Sequence, residues 1–207
     1  KSLYDTEPVF KNAIDDCAKA FSKYVSWNLC DELFSPDGME TIDIIQPALV
    51  AVEIALAKWW EASGAHFKAV IGHSMGEVAA AYLSQKITLD EAALIICTRS
   101  RLMKKTSGQG AMGYIALSPD EVNKRISGKE NQISIGVNNS PSSTVISGDP
   151  STVDAILAAT EAEGIFSRRI KVDVASHSPQ MDGLLEDLST TLQNLLPTDN
   201  SIDFYST

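Results

Sequence analysis

The sequence predicts a mixed α/β protein in two parts, and two patterns of elements carry that prediction. The first is a short apolar run at residues 69–71, followed by Gly-x-Ser-x-Gly and an apolar helical segment, an order typical of parallel α/β folds. The second is the order strand, helix, strand, strand, helix, strand within residues 111–174, which is the ferredoxin-like pattern. We therefore predict a larger subdomain with a parallel sheet, formed by residues 1–110 and 175–207, and an inserted small subdomain at 111–174.

The composition is that of an ordinary globular protein, with 44% apolar and 21% charged residues among 207. No apolar run is long enough to span a membrane, and no signal-peptide pattern opens the chain. The three widely spaced cysteines predict neither a disulfide framework nor a metal site, which favours a reducing cytoplasm. A net charge of −10 without a basic stripe disfavours nucleic acid as a ligand.

Two helices are predicted before the motif. Apolar residues recur at helical spacing through residues 6–24. A second, more apolar helix is predicted to open at Pro47 and to end at Gly64, because proline suits the first turn of a helix and glycine the position after its end.

The elements after the motif are marked by caps and breakers. Thr88-x-x-Glu91 is a capping box that opens a helix running to Lys105, and residues 107–110 break it. The small subdomain follows with predicted strands at 112–117, 132–137, 144–147 and 167–174, and predicted helices at 119–126 and 152–163. Ser118-x-x-Glu121 is a second capping box, which opens the first of these helices. Ser178-Pro179 then begins a last helix with inward-facing apolar residues, namely Met181, Leu184, Leu185, Leu188 and Leu192.

Gly72-His73-Ser74-Met75-Gly76 predicts a nucleophile elbow, the sharp turn between strand and helix of α/β-hydrolase-like folds. Both glycines are predicted to remove Cβ atoms that would collide in the turn, which leaves Ser74 exposed at its tip. The backbone N–H of Met75 and the positive end of the next helix would face the same space. Ser74 is therefore the candidate nucleophile.

A serine nucleophile needs a base, and the chain has three histidines. His66 is predicted to lie at the surface, and His73 to support the elbow with its side chain directed away from Ser74. His177 lies where the last strand of the small subdomain meets a helix, a junction where catalytic groups collect in α/β folds. His177 is the candidate base.

Five motifs in register resemble those of one family, the acyltransferase domains of modular polyketide synthases and the related malonyl-CoA:acyl-carrier-protein transacylases. In chain order they are Gly72-His73-Ser74-Met75-Gly76-Glu77, Arg99-Ser100-Arg101-Leu102-Met103, Asn139-Ser140-Pro141, Ser147-Gly148-Asp149 and Val174-Ala175-Ser176-His177-Ser178. The resemblance runs over essentially the whole chain.

The resemblance implies a role for each candidate. Ser74 would become acylated, His177 would act as its general base, and the Met75 N–H would be an oxyanion donor. Arg99 would bind the free carboxylate of a malonyl-type group, because a planar fork of donors pairs bidentately with a carboxylate. The family orients its histidine by backbone carbonyls, so no acidic triad member is nominated, and no metal or bound cofactor is implied.

The resemblance leaves the acyl group open between malonyl and methylmalonyl. The family's selectivity segment is usually Tyr-Ala-Ser-His for methylmalonyl and His-Ala-Phe-His for malonyl, whereas this chain has Val174-Ala175-Ser176-His177. Ser176 leaves room for an α-methyl branch, but Met75 is not the glutamine commonly paired with that choice. One methyl group is worth only about 1–3 kcal/mol of discrimination.

The implied substrates and partners are a malonyl-type CoA thioester, the phosphopantetheine thiol of an acyl carrier protein, and the ketosynthase and other domains of the same synthase. Local positive charge is expected to dock the acidic carrier protein, the candidates being Lys104, Lys105, Arg168, Arg169 and Lys171. The chain is expected to be cut at both ends, since it opens after the family's Gly-Gln-Gly oxyanion segment and stops before its last helices; Gly108-Gln109-Gly110 is predicted to be only a loop.

Two alternatives remain open. A serine esterase or thioesterase would use water as acceptor and would place an acidic triad member between Ser74 and His177. A catalytically inactive module would only dock neighbouring domains of a synthase.

Overall fold

The computed structural model describes residues 1–198 and 202–207. In chain order its elements are α1 (Ser2–Thr6), α2 (Pro8–Phe21), α3 (Leu29–Leu33), α4 (Ile42–Ala62), β1 (Ala69–Ile71), α5 (Gly76–Leu83), α6 (Leu89–Lys104), β2 (Ala111–Ile115), α7 (Pro119–Ile126), β3 (Ile133–Ser140), β4 (Ser143–Gly148), α8 (Pro150–Ala162), β5 (Ser167–Arg169), a 3-10 helix (Pro179–Leu184), α9 (Leu185–Leu192) and β6 (Asp203–Tyr205). They form two units, one of residues 1–101 with 188–207 and the other of residues 102–187.

In the first unit, helices pack beside a short parallel sheet. β1 pairs in parallel with β6, with Val70 opposite Phe204. The core is formed by the apolar faces of α2, α4, α5 and α6 with one residue of α3, and its largest fully buried side chains are Ile14, Phe21, Leu29, Val50, Ile54 and Ile96. Thr88 and Glu91 form the predicted capping box of α6.

The helix predicted to open at Pro47 begins five residues earlier, so that prediction is wrong. Thr41 is the N-cap of α4, and Pro47 lies inside the helix, buried. An internal proline removes one backbone hydrogen bond. Here α4 packs along α2 and buries Pro47 together with residues after it, such as Ala48, Val50 and Ile54, which offsets that loss. Gly64, with φ 96°, follows the end of the helix as predicted.

The second unit has the predicted ferredoxin-like order. Its four strands lie in the order β3-β4-β2-β5, and all pairs are antiparallel. Residues of β2, β3 and β4 form one apolar core with α7 and α8, whose fully buried members include Ile115, Val122, Ile133, Ile146 and Val153. Ser118 and Glu121 form the second capping box, at the start of α7.

The chain departs from the predictions after β5. The strand ends at Arg169 rather than continuing to 174. Ile170 still donates a backbone hydrogen bond to the Met112 carbonyl of β2, but Asp173 accepts hydrogen bonds from the loop at 107–110 instead. The following helix opens as a 3-10 helix, and no residue of it or of α9 is fully buried. Of the predicted inward-facing residues, Met181, Leu184, Leu188 and Leu192 are half-buried, whereas Leu185 is 56% exposed, so the prediction is wrong for Leu185.

The two units differ in their bounds from the predicted subdomains. Residues 102–110 and 175–187, which we assigned to the larger subdomain, group with the second unit. The reason is local: Gly108 and Gly110 donate backbone hydrogen bonds to Asp173, and a Cβ on Gly110 would lie 2.0 Å from the Ala175 nitrogen. The predicted subdomain borders stay a prediction. Among the residues described, none of the helices has both the length and the apolar character needed to cross a membrane.

Candidate active site

Ser74 lies in a sharp turn between β1 and α5. Its φ is 53°, in the left-handed region, which costs an L-residue about 1–2 kcal/mol. Backbone bonds from Gly76 to His73 (3.0 Å) and from Glu77 to Ser74 (3.1 Å) close the turn. A strained serine between a parallel strand and a helix is the geometry of a nucleophile elbow.

The two glycines of the elbow have different roles. A Cβ on Gly72 would lie 2.3 Å from the backbone carbon and oxygen of Gly76, so only glycine fits at position 72. A Cβ on Gly76 would meet only the Glu53 carboxylate, at 3.8 Å, which is ordinary contact. The predicted steric need is therefore confirmed for Gly72 and wrong for Gly76.

Glu77 connects the elbow to the segment after β6. Its Oε1 accepts hydrogen bonds from the Thr207 backbone N–H at 2.7 Å and from the Ser206 hydroxyl at 2.8 Å. The Thr207 hydroxyl in turn donates to the Gly72 carbonyl at 3.1 Å. The backbone bond from Thr207 is the main reason that the pKa of Glu77 is lowered from its ordinary value.

Arg99 of α6 reaches the elbow. Its Nη2 donates to Ser74 Oγ at 2.9 Å, and its Nη1 donates to Gln46 Oε1 at 2.5 Å. Burial lowers the pKa of the guanidinium, but arginine keeps its charge in proteins. A planar cation is thus placed beside the candidate nucleophile, within reach of an anionic group carried by an acyl chain on that serine.

Gln46 was not predicted as a site residue. It comes directly before Pro47 and so lies outside the helix predicted to open there, whereas α4 begins at Ile42 and includes it. One signal was available, because Gln46 is a single polar residue within the apolar run at 44–51. A polar side chain on the apolar face of a helix needs a hydrogen-bond partner, and here that partner is Arg99.

Met75 is the N-cap of α5, with φ −61° and ψ −29°. The backbone N–H groups at a helix N-terminus attract negative charge, which fits the predicted oxyanion role.

His66 and His73 are both exposed. Within residues 1–198 and 202–207, no group of three or more His, Cys, Asp or Glu side chains could hold a metal ion.

His177 belongs to the second unit and lies in the loop after β5. Its φ is 59°, so it shares the left-handed conformation of Ser74; Gln85 is the third non-glycine residue with positive φ among those described. Three side-chain hydroxyls donate to successive carbonyls of its loop, Ser178 to Ala175 at 2.7 Å, Ser147 to Ser176 at 2.6 Å and Ser134 to His177 at 3.2 Å.

The segment before His177 is buried. Val174 and Ala175 are at most 1% exposed and Ser176 is 9% exposed. Of the candidate site residues, the structure therefore brings Ser74, Met75 and Arg99 together in the first unit, and Val174, Ala175, Ser176 and His177 in the second.

The basic residues predicted to dock a partner are exposed on the second unit. Lys105 forms an ion pair with Asp187 at 3.0 Å, and Arg169 forms one with Asp154 at 2.5 Å. Arg168 lies opposite Tyr114 in the sheet, and the ring of Tyr114 contacts that of the exposed Phe166.

Comparison with known proteins gives consistent neighbours. A family model described as "Acyl transferase domain" matches residues 1–207. The chain is 38% identical over 210 residues to polyketide synthase GfsB of Streptomyces halstedii, covering all of this chain and 4% of that protein. The chain thus spans a small part of this curated relative.

Solved structures agree with the sequence comparison. The acyltransferase domain from module 8 of the salinomycin polyketide synthase matches with a TM-score of 0.92 and 38% identity, over 97% of this chain and 48% of that one. The malonyl CoA-acyl carrier protein transacylase of Coxiella burnetii matches with a TM-score of 0.84 and 26% identity, over 93% and 64%. These matches confirm the predicted fold class, and the chain belongs to the acyl transferase domain family.

Proposed function

We propose that this chain transfers a malonyl-type group from CoA to the phosphopantetheine thiol of an acyl carrier protein through an acyl-serine intermediate. The observation that carries the proposal is the hydrogen bond between Arg99 and Ser74. It places a fixed cation beside a hydroxyl in a strained elbow. A carboxylate-bearing acyl group is the substrate class for which such a pair is useful.

In the proposed first step, the Ser74 hydroxyl attacks the thioester carbon while His177 takes its proton. The carbonyl oxygen becomes an oxyanion, which the Met75 N–H at the start of α5 stabilises. The tetrahedral intermediate then expels the CoA thiolate, which takes up the proton held by His177, and Ser74 is left as an acyl ester. In the second step the carrier-protein thiol gives its proton to His177 and attacks that ester, and the Ser74 oxygen leaves with the proton held by His177.

Arg99 supplies the selectivity. Its guanidinium has five N–H donors, and two of them are used by Ser74 and Gln46. A malonyl carboxylate would pair with this fork by charge-assisted hydrogen bonds. An acetyl group offers no such partner. Because the bound carboxylate also holds the acyl group in place, Arg99 would favour transfer to the thiol over hydrolysis.

The relatives support the partners that we propose. One is a polyketide synthase, and another is named a malonyl CoA-acyl carrier protein transacylase. We therefore propose an acyl carrier protein as acceptor, and a ketosynthase and other synthase domains as neighbours on the same chain. The acyl group stays open between malonyl and methylmalonyl, and Val174, Ala175, Ser176 and Met75 remain the proposed selectivity residues.

Docking of the acidic carrier protein is proposed to use the exposed basic residues of the second unit. Arg168 and Lys171 would attract acidic side chains directly, whereas Arg169 and Lys105 would first have to exchange their ion pairs. The cysteines are free thiols, which is compatible with the reducing cytoplasm proposed for this protein.

Intact-mass measurement of the full-length protein tests the proposal. Incubation with malonyl-, methylmalonyl- and acetyl-CoA should add a malonyl-type mass but little acetyl, and Ser74→Ala should abolish the adduct. The adduct should pass to carrier protein faster than to water. An adduct in Ser74→Ala at the level of the wild type would contradict acylation of Ser74. Release of the acyl group to water at a rate that carrier protein does not increase would contradict acyl transfer and favour an esterase.

A further inference from the structure

Two serine hydroxyls of the small sheet fix the backbone on both sides of His177. Ser147 Oγ of β4 donates to the Ser176 carbonyl at 2.6 Å, and Ser134 Oγ of β3 donates to the His177 carbonyl at 3.2 Å. These carbonyls belong to the two peptide planes that flank the His177 Cα. Because peptide planes are rigid, the φ and ψ of a residue are set by the orientations of its two flanking planes. The two hydrogen bonds therefore restrain both dihedrals of His177.

The restrained conformation is one that histidine adopts only at a cost. With φ at 59°, His177 lies in the left-handed region, where the Cβ crowds the following carbonyl. Strained residues of this kind persist only where the surroundings hold them. The direction of the Cα–Cβ bond follows from φ and ψ, so holding the two planes also fixes the direction in which the imidazole projects.

The sheet is shaped to bring the loop close to Ser147. β3 has a bulge between Ile135 and Val137, at Gly136. A Cβ at Gly136 would lie 3.0 Å from the Ser147 Cβ and 3.4 Å from the Ser176 carbonyl oxygen. The missing side chain leaves room for that carbonyl. Ser147 is fully buried, so water does not compete for its hydrogen bond.

From this geometry we infer that Ser147 and Ser134 are positioning residues for His177. They act through the backbone by holding the residue in its left-handed conformation, and neither needs to touch the substrate. The inference rests on the proposed role of His177 as general base. Without the two hydroxyls, residue 177 relaxes towards the right-handed or extended region and the imidazole leaves its catalytic direction.

The chain offers a matched control on the same strand. Thr144 of β4 is also fully buried, and its hydroxyl donates to the Leu117 carbonyl at 2.8 Å. Leu117 lies outside the His177 loop. Thr144→Val therefore removes a buried hydroxyl of the same kind without changing either peptide plane at His177. If both Thr144→Val and Ser147→Ala slow the acylation of Ser74, the effect reports on stability. If only Ser147→Ala slows it, the effect reports on positioning.

The experiment compares Ser134→Ala, Ser147→Ala, the double variant and Thr144→Val in the full-length protein. Acylation of Ser74 by malonyl-CoA should fall about five- to tenfold in each single variant and about 30- to 100-fold in the double variant, in kcat with KM unchanged. Thr144→Val should stay within about twofold of wild type. Ser147→Cys, which keeps the size and a weak donor, should restore part of the rate.

A second readout is independent of activity. Crystal structures of Ser134→Ala and of the double variant should show residue 177 outside the left-handed region. Since Ser134 is only partly buried, its single variant keeps the test available if the double variant does not fold. The inference would be overturned if the serine variants kept the kcat of the wild type, or if the φ of His177 stayed near 59° in them.

His177→Ala separates this inference from the proposed function. If His177→Ala keeps wild-type acylation, the role of His177 fails, and the positioning inference fails with it. If His177→Ala abolishes acylation while the serine variants behave like Thr144→Val, the proposed function stands and only the positioning inference is overturned.

Discussion

Arg99 Nη2 lies 2.9 Å from Ser74 Oγ and donates a hydrogen bond to it, so the candidate carboxylate-binding cation and the candidate nucleophile are already in contact. The bond joins α6 to the elbow before α5. It occupies an acceptor site of the hydroxyl, so the Ser74 proton is directed to another partner. The same side chain thus orients the candidate nucleophile and, in the proposed function, would also orient the acyl carboxylate.

Arg99→Ala should therefore remove selectivity for charged acyl groups. We expect the transition-state stabilisation obtained from kcat/KM for malonyl-CoA to fall by about 2–4 kcal/mol, since charge-assisted hydrogen bonds contribute about 1.5–3 kcal/mol each. Loading from acetyl-CoA should be retained or increased. Initial rates of adduct formation by mass spectrometry measure both. Arg101→Ala is the control, because Arg101 is an exposed arginine two residues along the chain. Unchanged malonyl loading in Arg99→Ala would refute the role.

Gln46 should align the Arg99 guanidinium. A negative charge introduced at position 46 can be used to test that role. Gln46→Glu places a carboxylate beside Arg99 Nη1, where the glutamine oxygen now lies at 2.5 Å. The new ion pair would compete with the substrate carboxylate, so KM for malonyl-CoA should rise at least about tenfold. Gln46→Leu removes the acceptor without competing, and a rise of about fivefold is expected. Equal KM values in the two variants would argue against direct competition at Arg99.

Features set by neighbouring residues were predictable from the sequence. The capping boxes at Thr88/Glu91 and Ser118/Glu121 form as expected, because each involves only one helical turn. The order of elements in the small subdomain was also predictable, since hydrophobic periodicity and breakers mark each element. The elbow is local as well, and Gly72 has the steric role predicted for it.

Features set by packing between distant segments were not predictable. Pro47 lies within α4 because the helix packs along α2, and no local pattern reports that contact. The hydrogen bond that Arg99 donates to Gln46 joins residues 53 positions apart. The bond from Ser147 to Ser176 spans 29 positions, and serines of this kind resemble ordinary strand residues in a sequence.

The two glycines of the elbow should respond differently to the same substitution. In Gly72→Ala the new Cβ meets backbone atoms at 2.3 Å, and these atoms cannot move without opening the turn. We therefore expect the free energy of unfolding to fall by about 3 kcal/mol or more. In Gly76→Ala the nearest atom is 3.8 Å away and the position begins α5, so stability should stay equal or rise by up to about 1 kcal/mol. Urea denaturation measures both. Equal losses would show that the turn does not depend on the close approach at Gly72.

Glu77 should make the elbow sensitive to acid. Because its pKa is lowered in the folded protein, the ionised carboxylate contributes stability above its unfolded pKa, and that contribution is lost as the pH falls through the folded pKa. Glu77→Gln should lower the free energy of unfolding at pH 7 by about 0.5–1.5 kcal/mol, towards the lower end because solvent screens a partly exposed group. The difference from wild type should shrink on acidification, as measured by denaturation at pH 7 and at a series of lower pH values.

Glu121→Gln provides the control for Glu77. Hydrogen bonds from Ser118 also lower the pKa of Glu121, so its removal should give an acid-dependent stability change of the same sign. Glu121 caps α7 in the second unit, however, whereas Glu77 holds Thr207, whose hydroxyl donates to the Gly72 carbonyl. Acylation of Ser74 at pH 7 should therefore fall in Glu77→Gln and stay unchanged in Glu121→Gln. If both variants acylate equally well, the contact with Thr207 stabilises the fold without shaping the elbow.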